Sequence, residues 1–592
     1  MQLGASGRLN LESMPCEILR MIVGCFSLSP YEAGDPVLSP EFLENRRELR
    51  RLCLVSRKLW HAAVPFLYEV VITHGPGQEK SDRKLPPLLL LLRSLLANPS
   101  LRPRIRHMAC LVSLKGAKVT AQELEAVRRL WNSECLGIRV RTRADVRVLE
   151  LADLPVRIRK IRKGREEEAQ DEDNTPISTG DEAEDEYETS YLAETTRMPD
   201  RAELDGLGER IFAAILCLAP KLDSVAFQMP RCATVPTKVD QIKCTVTSGI
   251  IDRAMRDDVV GANVLQNLTT VKVQPDMRMF MYYGWDDEIG DDEEPCRGVR
   301  LDACPGLFSA PNITTVEGFK ESGGWDRLPI QTKNVKVAGI LEPDTVSTIC
   351  DYPNLERLTI RPAALDMAKA DIEDDEFNSA LLKRADTLKQ LDFRTMGNET
   401  LTTSYGPEKR LHCLPKMHKL EDLTIELFAL FGTSDKLRTQ GPLADLLPQE
   451  DDGSSSGSSS SSSSVSSSCH HANGPWQHSR PKSGSSLRRL QILEQWTYGD
   501  PVCPLRGGDA SVLSAYREAL RGVLLDFAKD CGAQRLPKLE KFRFVRREMA
   551  ALSDGKSAEA IGQREMEEKT RADFEHLRQL FAQEGVCMEV AV

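Results

Sequence analysis

At 592 residues the chain is long enough for several domains or one extended repeat array, and 41% hydrophobic content supports a sizeable core. The formal charge is 78 − 89 = −11, but the tract from Glu166 to Glu194 holds thirteen Asp or Glu and no Lys or Arg, which leaves the rest near +2. No basic stripe dominates, so nucleic acid is not an expected partner. The one strongly apolar run, Leu85 to Leu96, is too short to span a bilayer and contains Arg93, so no membrane is expected either.

The chain opens on two apolar-striped helical segments, Leu11 to Phe26 and Leu49 to Val71. In the first, Ser13 is placed to cap the helix, Pro15 suits the first turn and Glu17 favours the helix dipole. Ile18, Leu19 and Ile22 then follow at three- and four-residue spacing and make one stripe. The second repeats the logic with Leu49, Leu52, Val55 and Leu59, with Trp60 and the polar His61 alongside, and is expected to stop near Pro65. Two such helices cannot bury their apolar surface without a partner or a neighbouring domain.

The pattern Met14-Pro15-x-Glu17-Ile18-Leu19, then Leu52-x-Leu54-Val55-Ser56-Arg57, then Trp60, Ala63, Pro65 and Leu67-Tyr68 resembles an F-box of the fungal style. Such motifs dock on a Skp-family adaptor, which links them to a cullin ligase core. Met14 replaces the usual leucine at little cost in volume. The stretch from Ser27 to Arg47 is a longer insertion than the motif carries and is expected to loop out. The resemblance implies adaptor contacts through Met14, Pro15, Ile18, Leu19, Ile22, Leu52, Val55 and Trp60, within a module spanning 1–72. An ordinary helical hairpin packed on the rest of the chain is the competing reading.

Beyond Tyr68 a second element recurs: apolar, two variable positions, apolar, one variable position, apolar. It occurs at Val146-Leu149-Leu151, Leu222-Val225-Phe227, Leu268-Val271-Val273, Leu355-Leu358-Ile360, Leu388-Leu391-Phe393, Leu420-Leu423-Ile425, Leu487-Leu490-Ile492 and Leu539-Phe542-Phe544. The last three residues of each alternate in-out-in, as a strand buried on one face requires. Pro-Asn or Leu-Pro steps precede several of them, and helical segments such as Phe377 to Ala385 and Val512 to Ala528 lie between. Leu88 to Leu96 followed by Ile105 to Leu114, and Phe574 to Phe581 followed by Val586 to Val592, share the layout. The fold class is therefore α/β, with stacked strand–helix units and a parallel sheet over 85–592. It looks like an irregular leucine-rich-repeat solenoid, with spacings of 33, 32 and 46 residues where about 20–29 is typical. A different α/β fold with a mixed sheet is the alternative.

If the pattern residues point inward, the positions between them face outward. Arg357, Arg361, Asp392, Arg394, Asp422, Glu426, Arg489 and Arg543 then form a surface of changing sign suited to an unknown protein substrate. Two insertions are expected to stay unfolded: the acidic stretch 164–200 and the serine-rich stretch 449–486.

Sixteen scattered cysteines with no Cys-x-x-Cys pair, and no secretory signal at the N-terminus, read as reduced thiols in the cytoplasm or nucleus. No nucleotide loop, nucleophile elbow or His-Glu-x-x-His occurs. Cys469-His470-His471 lies in the serine-rich tract without a second ligand pair. No catalytic residue, metal or cofactor is expected. The resemblances imply a substrate-recognition adaptor of an SCF-type ubiquitin ligase. A repeat scaffold with no ligase link, whose N-terminal helices cap the first repeat, is the alternative, and an enzyme built on the solenoid is a third.

Overall fold

The structure, a computed structural model, describes residues 14–26, 40–72, 87–111, 143, 147–148, 201–228, 245–260, 264–274, 301, 305–319, 324–341, 343–365, 375–394, 411–432, 434–439, 441–448, 485–494, 510–532, 536–546 and 558–591. It divides into two compact units, Met1–Ile313 with Ser322–Gly324, and Thr314–Glu321 with Trp325–Val592. The acidic stretch 164–200, Cys469-His470-His471 and most of the serine-rich stretch lie outside the described residues, as do Leu149 and Leu151 of the Val146 motif.

The first unit begins with three helices where two were expected: α1 (Cys16–Gly24), α2 (Pro40–Val55) and α3 (Arg57–Glu69). Ser56 breaks the second segment, because its extended backbone and its Oγ, accepting from Leu59 N–H at 3.2 Å, start a new helix. Pro65 lies inside α3 and does not end it. Pro15 occupies the capping position before α1, and Ser13, expected there, lies outside the described residues. The loop read as Ser27 to Arg47 is shorter than expected, since α2 already starts at Pro40.

The chain then leaves α3 directly into a strand, β1 (Val70–Ile72), which the apolar period of the helix had concealed. β1 pairs in parallel with β2 (His107–Leu111), β2 with β3 (Ser224–Gln228) and β3 with β4 (Thr270–Gln274). The sheet thus starts within the span read as the N-terminal module. Between β1 and β2 lies α4 (Pro87–Ala97), which packs on the helix Arg201–Leu218. The latter is buried on every side from Ile211 to Leu218, the mark of a helix enclosed by its neighbours. Arg147 and Val148, where a strand motif was read, are helical.

The second unit carries β5 (Thr315–Phe319), β6 (Asn334–Leu341), β7 (Arg357–Leu365), β8 (Gln390–Phe393), β9 (Asp422–Glu426), β10 (Arg489–Leu493), β11 (Lys541–Val545) and β12 (Cys587–Ala591). Each pairs in parallel with the next in chain order. Every pairing described within either unit is parallel, which removes the mixed-sheet alternative for these strands. One inward row runs in register through Val316, Val335, Leu358, Leu391, Leu423, Leu490, Phe542 and Met588, all but fully buried. Helices such as Asp375–Leu382, Ala510–Gly532 and Ala558–Gln583 complete the repeats. The last ends in a Schellman turn: Gly585 takes φ 77°, Val586 N–H donates to Phe581 O at 2.9 Å and Gly585 N–H to Ala582 O at 3.1 Å.

The residue just after the first position of the motif forms a ladder of alternating charge over most repeats, with uncharged residues such as Thr269 before β4 and Cys587 at β12. In the first unit it is Glu69, Arg106 and Asp223, and in the second Lys333, Glu356, Lys389, Glu421, Arg488 and Glu540. In both units the backbone N–H of each donates to the carbonyl of its predecessor, at 2.7–3.0 Å. Arg106 meets Asp223 at 2.7 Å; Glu356 meets Lys333 at 3.1 Å and Lys389 at 3.0 Å; Arg488 meets Glu421 at 3.8 Å. Lys389, then Lys333, hold the Glu356 carboxyl below its ordinary value. Its contribution is therefore present above the unfolded-state pKa and is lost as pH falls through the lower folded one. Glu356→Lys, which sets three cations in a row, is expected to destabilise by about 1–2 kcal/mol in denaturant unfolding, less at high salt.

Candidate functional site

Three helices as short as α1–α3 must share one core, and they do so on Leu19, Val23, Leu49, Leu59, Ala62 and Ala63, with Met14, Leu52 and Phe66 packed at its margin. Two polar ties hold the module. Lys58 Nζ donates to Met14 O at 2.5 Å, pinning the start of α1 to α3. Arg46 Nη1 donates to Val70 O at 2.6 Å, pinning α2 to the point where α3 becomes β1. Burial brings the Arg46 guanidinium down to about 10, still charged at neutral pH.

What the core leaves outside is notable. Met21 is 70% exposed, Leu54 87%, Val55 68% and Trp60 41%, and Ile18 and Ile22 are about as open as Trp60. Ile18, Met21 and Ile22 share one face of α1 by their spacing. Leu54 and Val55 end α2, and Trp60 lies in the first turn of α3 with its ring edge-on to His61 at 4.8 Å. These positions account for most of the exposed large apolar side chains among the described residues. Covering them would gain about 1.5–3 kcal/mol per large side chain relative to leaving them in water.

The predicted contact residues therefore separate. Pro15, Ile18, Ile22, Val55 and Trp60 are exposed; Met14 and Leu52 are half-buried. Leu19 is a correction: at 0% exposure it is at the centre of the module's own core and not on its surface. The stripe of α1 is wide enough to have both an inner and an outer edge, and Leu19 lies on the inner one. Met21 and Leu54, the two most exposed, were not among the predicted contacts, although Leu54 stood within the motif.

On the second unit, the outward sheet positions fall into register: Arg357, Gln390, Asp422, Arg489 and Lys541 in one row, Thr359, Asp392, Thr424, Gln491 and Arg543 in the next. Arg357, Arg489 and Arg543 are exposed. Arg489 makes two bonds of 2.5 Å to the Asp422 carboxylate, which holds the guanidinium further in its charged form. Arg361 and Arg394 are half-buried, and Arg394 grips Asp392 through two 2.6 Å bonds. Asp392 and Glu426 are corrections, since both are buried. Glu426 closes β9 and is followed directly by Leu427–Phe431, a turn of helix in which every residue is buried. In the Arg394–Asp392 and Arg489–Asp422 pairs the cation is the more exposed partner (33% against 9%, 65% against 21%), so the face presents positive charge.

Among the described residues no group of three or more His, Cys, Asp or Glu is placed to hold a metal ion. Nor is any described helix long and apolar enough to cross a membrane. No protein-family model matches the chain, and no curated protein is significantly similar to it.

Proposed function

We propose that the chain is a substrate-recognition adaptor of an SCF-type ubiquitin ligase: the α1–α3 module is an F-box that docks a Skp-family protein, and leucine-rich-type repeats hold a target protein. The single observation that carries this reading is the apolar set Ile18, Met21, Ile22, Leu54, Val55 and Trp60, held open to solvent by a module whose own core is already complete without it. No side chain of this chain makes or breaks a bond in such a role. Its effect is to raise the local concentration of target lysines near a recruited conjugating enzyme.

The test is capture of a purified Skp adaptor by the full chain and by Met21→Asp with Leu54→Asp. Two charges placed in a buried contact are expected to weaken capture at least about a hundredfold, with the melting profile unchanged because neither residue belongs to the core. Equal capture by both proteins overturns the reading. It would favour the capping role, for which α3 offers its own support by packing on the Pro99–Arg104 turn and continuing into β1.

A further inference from the structure

A concavity of about 510 Å³ opens on the rim of the second unit where β8 to β11 begin. It lies within the size range of ligand sites. Its cationic lining is Lys419, Arg488 and Lys538, with His418 and Ser486 beside them; its acids are Asp386 and Glu421, the latter already facing Arg488 at 3.8 Å.

The same motif position is also a lysine, Lys221, before β3, and is filled differently at other strands. Directly before the first apolar residue of the motif stand Asn267, Asn312 and Asn354, and each side chain donates to a carbonyl of the preceding repeat: Pro220 O at 2.6 Å, Gln266 O at 2.6 Å and Ile330 O at 3.0 Å. These amides close the rim. Before β10 the position is Ser486, which still donates to Leu420 O at 2.8 Å. Before β9 and β11 it is Lys419 and Lys538, both exposed. Before β9 and β11, as before β3, this position carries an exposed ammonium where those before β4, β5, β7 and β10 carry an amide or a hydroxyl.

We propose that this rim binds an acidic segment of polypeptide in extended form. Lys419 and Lys538 lead into strands two places apart, about 10 Å at the usual strand spacing, and carboxylates three residues apart on a chain extended as polyproline II share one side at about 9 Å. Arg488 stands directly before the strand between them. A single phosphoryl group is a poorer match, because such groups favour converging guanidinium forks, whereas here two ammonium groups stand well apart and the one arginine already faces an acid. As the target's point of contact the site rests on the adaptor reading; as a peptide site it stands on the rim alone, so it is measured without a Skp adaptor.

The experiment is fluorescence anisotropy on the full chain with a labelled heptapeptide bearing glutamate at its first, fourth and seventh positions. Lys419→Glu with Lys538→Glu is expected to weaken binding about tenfold or more, and the milder Lys419→Gln with Lys538→Gln about threefold, both with an unchanged circular dichroism melt. The control, Lys529→Glu with Arg578→Glu on exposed helix faces, is expected to leave affinity within about twofold. A glutamine-for-glutamate peptide should not bind. The proposal is overturned if the wild-type chain does not bind the acidic peptide, if the control variant loses as much as the rim variant, or if inorganic phosphate competes as well as the peptide, which would mark a simple ion site.

Discussion

Phe542→Ala is expected to cost about 3–5 kcal/mol, read as a lowered denaturant midpoint of the full chain. Phe542 of β11 is fully buried, and so are its neighbours Phe527 and Phe581 from the two long helices. Their ring centroids lie 5.4, 5.0 and 5.8 Å apart, each pair tilted or edge-on. Removing the middle ring deletes apolar burial and leaves a cavity that two large rings and a sheet cannot collapse into. Phe542→Leu, which keeps most of the volume, should cost roughly 1 kcal/mol. Ile330→Ala, at a residue 69% exposed, should fall within about 0.5 kcal/mol and serves as the reference. Equal effects at Phe542 and Ile330 would mean that the long helices are not seated on the sheet as described.

The second large effect is at Leu19. Leu19→Asp places a carboxylate among Val23, Leu49, Leu59, Ala62 and Ala63 with no partner for it, and is expected to unfold the α1–α3 module. Limited proteolysis should then cut within 16–24 and 57–69 in the variant and not in the wild type. Adaptor capture is lost in this variant too, but by a different route from Met21→Asp with Leu54→Asp, which leaves the module protease-resistant. The two variants divide the stripe of α1 into the edge that folds the module and the edge that remains free. A Leu19→Asp chain that resists protease and keeps its melt would contradict the burial described for that residue.

Much of the sheet was legible because the inward period of a strand needs only three apolar residues in fixed places. Leu355-Leu358-Ile360 and its neighbours satisfy that, and β3, β4 and β7 to β11 lie where the motif put them. β5 and β6 escaped for small reasons. The third position of β5 is Gly318, and the first position of β6 is Thr332, buried although polar. Parallel backbone pairing with a neighbouring strand tolerates one weak position; a pattern of three does not.

The charge ladder was hidden for another reason. Most of its members sit beside a leucine in plain view, but only register shows that Glu356 stands between Lys333 and Lys389, residues 23 and 33 places away in the chain. The candidate target face was read with the right rows and the wrong accessibility. Sequence gives the side of the sheet a residue is on, and says nothing of the buried turn after β9 that encloses Glu426, or of the guanidinium that covers Asp392.

The passage from Glu69 to Val70 has no spacer: one residue ends a helix, the next begins a strand, and Arg46 bonds the carbonyl at that point. Such a joint has no hinge. One residue added there would turn every side chain of β1 to the opposite side of the sheet, so the joint tolerates insertion poorly. The three helices are consequently not a cassette that can be cut off and grafted to another body at this seam. Whatever grips them also sets the bearing of the first strands, as a handle forged with its blade sets the angle of the edge.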